Sequence, residues 1–243
     1  MTTNNATPQR LYLMQLSTST IPTTPPTPGS EGCYLVQTSD GKNILIDSGL
    51  PADYTPPPGM PPSENPKNVL EHLADLGLVP DDIDLLICTH FDVDHAGYHD
   101  AFSKAELIVQ REHYELARSG HPRYAAARTH WDHPALRYRL VEGDTDVLPG
   151  LSLIETSGHA PGHQSVLVRL PQTGPVLLAI DAVVLQRLFT PDRKAWPMEN
   201  EEQLRASTRK LLDLVEREHV TLVIFGHDGQ QWQMLKKAPA FYE

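Results

Sequence analysis

The segment Thr89-His90-Phe91-Asp92-Val93-Asp94-His95 places four side chains able to hold a metal within six residues. It follows the apolar run Leu85-Leu86-Ile87-Cys88, which reads as a buried strand. A strand that delivers imidazoles and carboxylates as it breaks into a loop puts them at the carboxyl end of a sheet, where α/β proteins tend to keep their sites. Three other predicted strands end the same way: at His159 in Thr156-Ser157-Gly158-His159, at Asp181 in Ala179-Ile180-Asp181, and at His227 in Phe225-Gly226-His227-Asp228. One histidine at a strand end is more often hydrogen-bonded structure than ligand, but four coordinated instances point to a metal centre.

The donors are His90, Asp92, Asp94, His95, His159, Asp181 and His227, more than the tetrahedral demand of one zinc ion. Two divalent ions sharing a bridge would use them all. A carboxylate such as Asp181 spans ions about 3.5 to 4 Å apart, and water between such ions is acidified to a hydroxide nucleophile at neutral pH. Hydrolysis is the natural output.

The elements that must position these groups follow from periodicity and punctuation. Leu11 to Leu16 reads as a strand, and the proline-rich stretch from Ile21 to Ser30 as a surface loop that interrupts the ladder. Cys33–Val36 and Asn43–Ile46 flank the turn Ser39-Asp40-Gly41-Lys42, a hairpin ending in Asp47-Ser48-Gly49. Residues 51–65 read as a long irregular loop, either lid-like or equally a disordered surface loop. Asn65 and Pro66 look like the start of a helix with Val69, Leu70, Leu73 and Leu76 as its apolar stripe and Gly77 as its stop. The strand before His90 is followed by a helix expected near Asp94 and a strand at Leu107–Val109, a βαβ rhythm. Residues 111–145, rich in aromatics and histidines, read as a helical insertion. Strands resume at 151–155, 165–170 and 176–180; Asn200 with Gln203 resembles a capping box opening a helix, and Thr221–Phe225 is a last buried strand.

Bulk properties narrow the class. A chain of 243 residues buries an ample core, so any metal is functional rather than a structural staple. The net charge of −11 argues against a phosphate backbone or an anionic membrane as partner. Cys33 and Cys88 lie in different predicted strands and lack metal-site spacing, which makes them small core residues. The N-terminal stretch has no basic start followed by an apolar run, and no window approaches a membrane span of about 20 apolar residues, so a cytoplasmic protein is expected.

At this point a resemblance becomes plain. H-x-D-x-D-H at 90–95, the distant His159, Asp181 and His227 resemble the metallo-β-lactamase fold superfamily, whose signature is H-x-H-x-D-H followed by a distant histidine, a bridging aspartate and a final histidine. Ile46-Asp47-Ser48-Gly49, the stretch Asp82 to Thr89, Ser157 to Ser165 and Phe225 to Asp228 also match. The resemblance covers nearly the whole chain and implies one α/β domain over 1–243, an αββα sandwich of two mixed sheets flanked by helices. Gly158 to Ser165, Ile180-Asp181-Ala182 and Gly226-His227-Asp228 are similar to the N-acyl homoserine lactonases, which implies a small lactone or ester substrate. Carried over residue by residue, the resemblance implies a first ion on His90, Asp92 and His159, a second on Asp94, His95 and His227, and Asp181 between them; Asp94 would also pass a proton to the leaving oxygen. It gives His163 a loop-supporting role. The ions would be zinc, with manganese, iron or cobalt as alternatives, and a homodimer is compatible.

Two positions depart from the family pattern. Asp92 stands where the signature has its second histidine; the alternation His90, Asp92, Asp94 favours ligation and a harder metal preference. Val184 stands where these lactonases carry a tyrosine that hydrogen-bonds the substrate carbonyl, with Tyr54, Tyr98 and Tyr124 as candidate replacements. Trp131, Tyr138 and the proline-rich residues 51–65, with Tyr54, would suit an acyl-chain groove, or equally core or interface. Glu199, Glu201 and Glu202 favour a helix N-terminus. Rival functions are hydrolysis of another ester, thioester or phosphoester, the redox chemistry of flavodiiron proteins, whose flavin domain this length cannot hold, and non-catalytic metal binding.

Overall fold

In the computed structural model, residues 6–55, 64 and 67–243 are described. β1 (Pro8–Ile21) and β2 (Thr27–Thr38) form a long antiparallel hairpin registered from Pro8 with Thr38 to Ile21 with Thr27. The proline-rich stretch, expected as a loop from Ile21 to Ser30, is therefore a turn only over residues 22–26, and Ile21 and Thr27 to Ser30 are paired in the ladder. Its prolines occupy the turn and the far end of the hairpin, where Thr20 pairs with Pro28 and a missing N–H costs little.

β3 (Asn43–Ile46), β4 (Leu85–Ile87) and β5 (Glu106–Gln110) continue the same sheet, with α1 (Val69–Asp75) crossing between β3 and β4. The cap of α1 is Asn68, whose side chain accepts from Glu71 N while Glu71 Oε2 accepts from Asn68 N. This capping box displaces the expected start; Asn65 and Pro66 lie outside the described residues, as do 56–63 of the lid-like loop. No helix begins near Asp94. Turns carry the chain to a 3-10 turn at His99–Phe102, which frees the ligand loop from helical geometry.

The stretch 111–145 is helical only at first. α2 (Arg111–Arg118) and the single turn α3 (Arg128–Trp131) give way to β6 (Arg137–Val141), which pairs in parallel with β5, and β7 (Thr145–Leu148), which opens the second sheet. The exposed alternating residues of β6 make it a half-solvated edge strand, a weak signal in sequence. β8 (Leu151–Glu155), β9 (Gln164–Leu170) and β10 (Gly174–Ile180) follow, then α4 (Glu201–Arg217), β11 (Leu222–Phe225), α5 (Gly229–Met234) and β12 (Phe241–Tyr242).

Among the described residues the strand orders are β12-β1-β2-β3-β4-β5-β6 and β11-β10-β9-β8-β7. Period-two alternation sorts the core into layers. Ile44, Ile46, Ile87 and Ile108 face Leu153, Val166, Val176 and Leu178 between the sheets. Leu45, Leu86 and Leu107 face outward onto Val69 and Leu73 of α1, while Leu167, Leu177 and Ala179 of the second sheet meet Leu211 and Leu214 of α4. Each such buried aliphatic side chain contributes about 1.5–3 kcal/mol. The result is the expected αββα sandwich, with both cysteines buried and free. Among the described residues no helix is long and apolar enough to cross a membrane.

Candidate metal centre

The strands β3, β4, β10 and β11 stop at one edge of the sandwich, and the residues that follow them converge. Gln164 stitches the edge together: its Nε2 donates to Cys88 O at 2.8 Å and its Oε1 accepts from Gln110 at 3.0 Å. Asp181 follows Ile180, whose φ of 51° is a left-handed conformation that a β-branched residue rarely adopts. Gly226 is required here because a Cβ would lie 2.5 Å from Asp181 Oδ1. Backbone bonds from Gly226 N to Val183 O (3.2 Å) and from His227 N to Val184 O (2.9 Å) tie the last histidine to the aspartate loop.

The donors form two groups. His90, His159 and Asp181 have ligand atoms within 4.8 Å of one another, as do Asp94, His95 and His227. Asp181 stands between them: its Oδ2 lies 3.4 Å from His159 Nε2, 3.9 Å from His90 Nε2 and 3.0 Å from His227 Nε2, and its Oδ1 lies 3.7 Å from His95 Nε2. His90 Nε2, His95 Nε2 and Asp181 Oδ1 are buried with no hydrogen-bond partner in the protein. A buried polar atom left bare costs about 1–3 kcal/mol, so orphaned atoms of these chemistries, all in the two groups, fit divalent cations.

The far side of each ring is held. His95 Nδ1 donates to Asp47 Oδ2 at 2.8 Å, His159 Nδ1 to Glu199 Oε1 at 3.0 Å, and His90 Nδ1 to Thr89 Oγ1 at 3.0 Å. Asp47 also accepts from Thr89 N at 2.8 Å and the Thr89 hydroxyl at 2.6 Å, fixing the start of the ligand loop. These bonds keep a proton on Nδ1, so a cation would take Nε2, displacing any second proton there. Glu199, whose side chain is 3% exposed, is therefore a ring-orienting group and not a dipole partner of α4. Its signal was its position ahead of Asn200, the cap whose Oδ1 accepts from Gln203 N.

Two further histidines bind loop to loop. His163 Nδ1 bonds Thr156 Oγ1 at 2.9 Å, and its Nε2 accepts from Asp181 N at 3.2 Å. His113 Nε2 accepts from Phe91 N at 2.8 Å and its Nδ1 donates to Pro161 O at 2.7 Å, joining the H-x-D-x-D-H loop to the His159 loop. His99 is likewise buried, 2.7 Å from the Ser48 hydroxyl.

Charge in the pocket is set by its carboxylates. Burial pulls the His159 imidazole down, but bonds to Asp92 and Glu199 outweigh it and bring the pKa to about 9. His227 is at about 9 for the same reason, with Asp181 as the opposing charge. Burial and the neighbouring His95 hold His90 well below the usual range.

Asp92 lies beside the first group, its Oδ2 3.4 Å from His90 Nε2 and 3.2 Å from His159 Nε2. Both its oxygens are also taken by Arg123: Nε donates to Oδ1 at 2.7 Å and Nη2 to Oδ2 at 2.5 Å. Arg123 carries no motif signal, since it sits 31 positions away in a 3-10 turn between α2 and α3.

Of the residues expected to meet substrate, Trp131 is 1% exposed, stacked 4.7 Å from Phe91, and donates its indole N–H to Tyr124 O, so it braces the ligand loop and has no face left for a ligand. Tyr138 donates its hydroxyl to Trp131 O in the same cluster. Tyr54 differs: it is half-buried, and burial, then the charges of Asp94 and Glu31, push its phenol up. Tyr124 has a buried, unpartnered hydroxyl pushed up to about 12 by burial. Val184 is buried.

Residues 26–227 match the metallo-β-lactamase superfamily. An N-acyl homoserine lactonase from a Bacillus species is 33% identical over 220 residues, covering 86% of this chain and 85% of the relative. The N-acyl homoserine lactonase AttM of Rhizobium radiobacter is 33% identical over 231 residues, 86% of each. Among solved structures, an N-acyl homoserine lactone hydrolase with the product N-hexanoyl-L-homoserine at its catalytic metal centre superposes with a TM-score of 0.85 at 30% identity, covering 97% of this chain and 100% of that one.

Proposed function

Because the chain belongs to the metallo-β-lactamase superfamily, we propose that it is a metal-dependent hydrolase that opens the lactone ring of N-acyl homoserine lactones. The observation that carries this reading is the placement of Asp181 between two three-donor groups at the strand ends. His90, His159 and Asp181, with Asp92 at their margin, would hold one divalent ion; Asp94, His95 and His227 would hold the other. The imidazole-rich donor set suits zinc, and the carboxylates also admit manganese, iron or cobalt. When bound, such ions supply Lewis acidity, acidifying water and polarising an ester carbonyl.

The chain's own groups do the rest. Asp47, Glu199 and Thr89 hold the rings so that each Nε2 faces inward, which removes reorganisation from the reaction. Asp94 turns Oδ2 toward His95 and His227, 3.7 Å from each Nε2, and is 23% exposed, leaving Oδ1 to take the proton given up by the water that adds to the carbonyl and pass it to the departing ring oxygen. Tyr54, whose phenol feels the charge of Asp94, would take the place of the missing tyrosine as donor to the substrate carbonyl.

The test is a substrate panel read by a pH indicator: N-acyl homoserine lactones of several chain lengths against aryl esters, thioesters and phosphoesters, on the native chain and on Tyr54→Phe. Lactones should give the highest kcat/KM, and loss of the phenol should lower it by about a hundredfold. A preference for another ester class, or no turnover with metal retained, would replace the lactonase reading.

A further inference from the structure

The two donor groups are not equally free to take a cation. Nη2 of Arg123 lies 2.5 Å from Asp92 Oδ2 and 2.7 Å from His159 Nε2, so one guanidinium nitrogen holds two of the atoms a cation would need at the first position. Nε engages Asp92 Oδ1 at 2.7 Å, and Nη1 donates to the His159 carbonyl at 2.6 Å. The Arg123 side chain is only 12% exposed, so these bonds form largely out of solvent, where a planar fork on a carboxylate is at its strongest. The second group has no such occupant: among the described residues no lysine or arginine pairs with Asp94, His95 or His227, and His95 Nε2 is bare.

We propose that Arg123 sets the metal affinity of the first position by competing with the divalent cation for Asp92 and His159, so that the two positions load unequally, the second first. This rests on the two-ion reading above and says which residue governs it. Paired with Arg123, Asp92 is net neutral, as the histidine usual at that place would be. Without the guanidinium, a bare carboxylate would face the cation. Its bond to the His159 carbonyl gives Arg123 somewhere to stay once Nη2 is displaced, so loading needs a short swing and no unfolding of the turn.

The experiment titrates zinc into the metal-stripped chain against a chromogenic chelator. The native protein should bind in two unequal steps, with the weaker one abolished in His90→Ala. In Arg123→Gln that weaker step should tighten by about tenfold or more, the scale expected for removing a unit charge a few ångströms from the ion. A weaker step that is unchanged or loosened in Arg123→Gln overturns the proposal, since Arg123 would then be indifferent to the cation or supporting it. Should Arg123→Gln fail to fold by circular dichroism, the native chain decides alone: two equal steps, or loss of the tighter step in His90→Ala, overturn it. No lactone enters the measurement, so a failure here leaves the substrate panel unaffected, and the reverse.

Discussion

The two halves of the centre draw on the same six-residue loop yet are supported in different ways. The second group is braced by carboxylate: Asp47 bonds His95 and Thr89 and ties them to the end of β3. The first is braced by a longer chain of contacts, Glu199 on His159, His113 between Phe91 and Pro161, and Arg123 on Asp92. The second half is thus anchored on the sheet directly, while the first, which reaches Asp47 only through Thr89 and His90, depends besides on the 111–145 excursion and the loop before α4. A single buried carboxylate, Asp181, couples them.

The largest effect should come from breaking that coupling. Asp181→Asn removes the charge shared by both groups and should lower kcat/KM by about three orders of magnitude while reducing metal content; a variant with both ions and the full rate would sever the link drawn here.

Next come the ring-orienting carboxylates, which separate the two halves. Glu199→Ala should weaken metal binding at the first position and Asp47→Ala at the second, each by about 10- to 100-fold, as read by metal titration. If both changes weakened the same step, the division into two differently braced halves would be wrong.

The gentlest probe is acid. Burial holds the His113 pKa down at about 4 in the folded chain, against an ordinary value of 6.5. Below about pH 6.5 the unfolded chain takes up a proton that folded His113 refuses, so stability falls as pH drops and levels off below about 4, a loss of about 3 kcal/mol from this group. Denaturant unfolding of the metal-free protein between pH 7.5 and 4 measures it, and His113→Gln should flatten that part of the profile. An unaltered slope in the variant would move the acid sensitivity to another group.

How much was legible beforehand depends on the distance over which each feature is encoded. Strands such as Leu85–Ile87 and Leu222–Phe225 announce themselves as short apolar runs, and the donors at their ends stand out by type. β6 did not, because its exposed edge carries arginines and its place in the sheet comes from pairing with β5. The start of α1 differs from the expected one because Asn65-Pro66 and Asn68 with Glu71 are both plausible openings in sequence, and the capping bonds at Asn68 decide between them. Trp131 illustrates the same limit: aromatic residues suit a groove or a core equally, and its stacking on Phe91 decides for the core.

The sequence by itself supplied the candidate donors and the strands that deliver them, since these follow from residue type and local periodicity; their division into two groups came from the family resemblance. Tertiary structure alone decided what stands behind each donor. Glu199 meets His159 across 40 positions, Asp47 meets His95 across 48, and Arg123 meets Asp92 across 31. Such pairs leave no trace in local spacing because packing brings them together, and in a buried pocket the partner of a ring nitrogen or a carboxylate governs how it can bind.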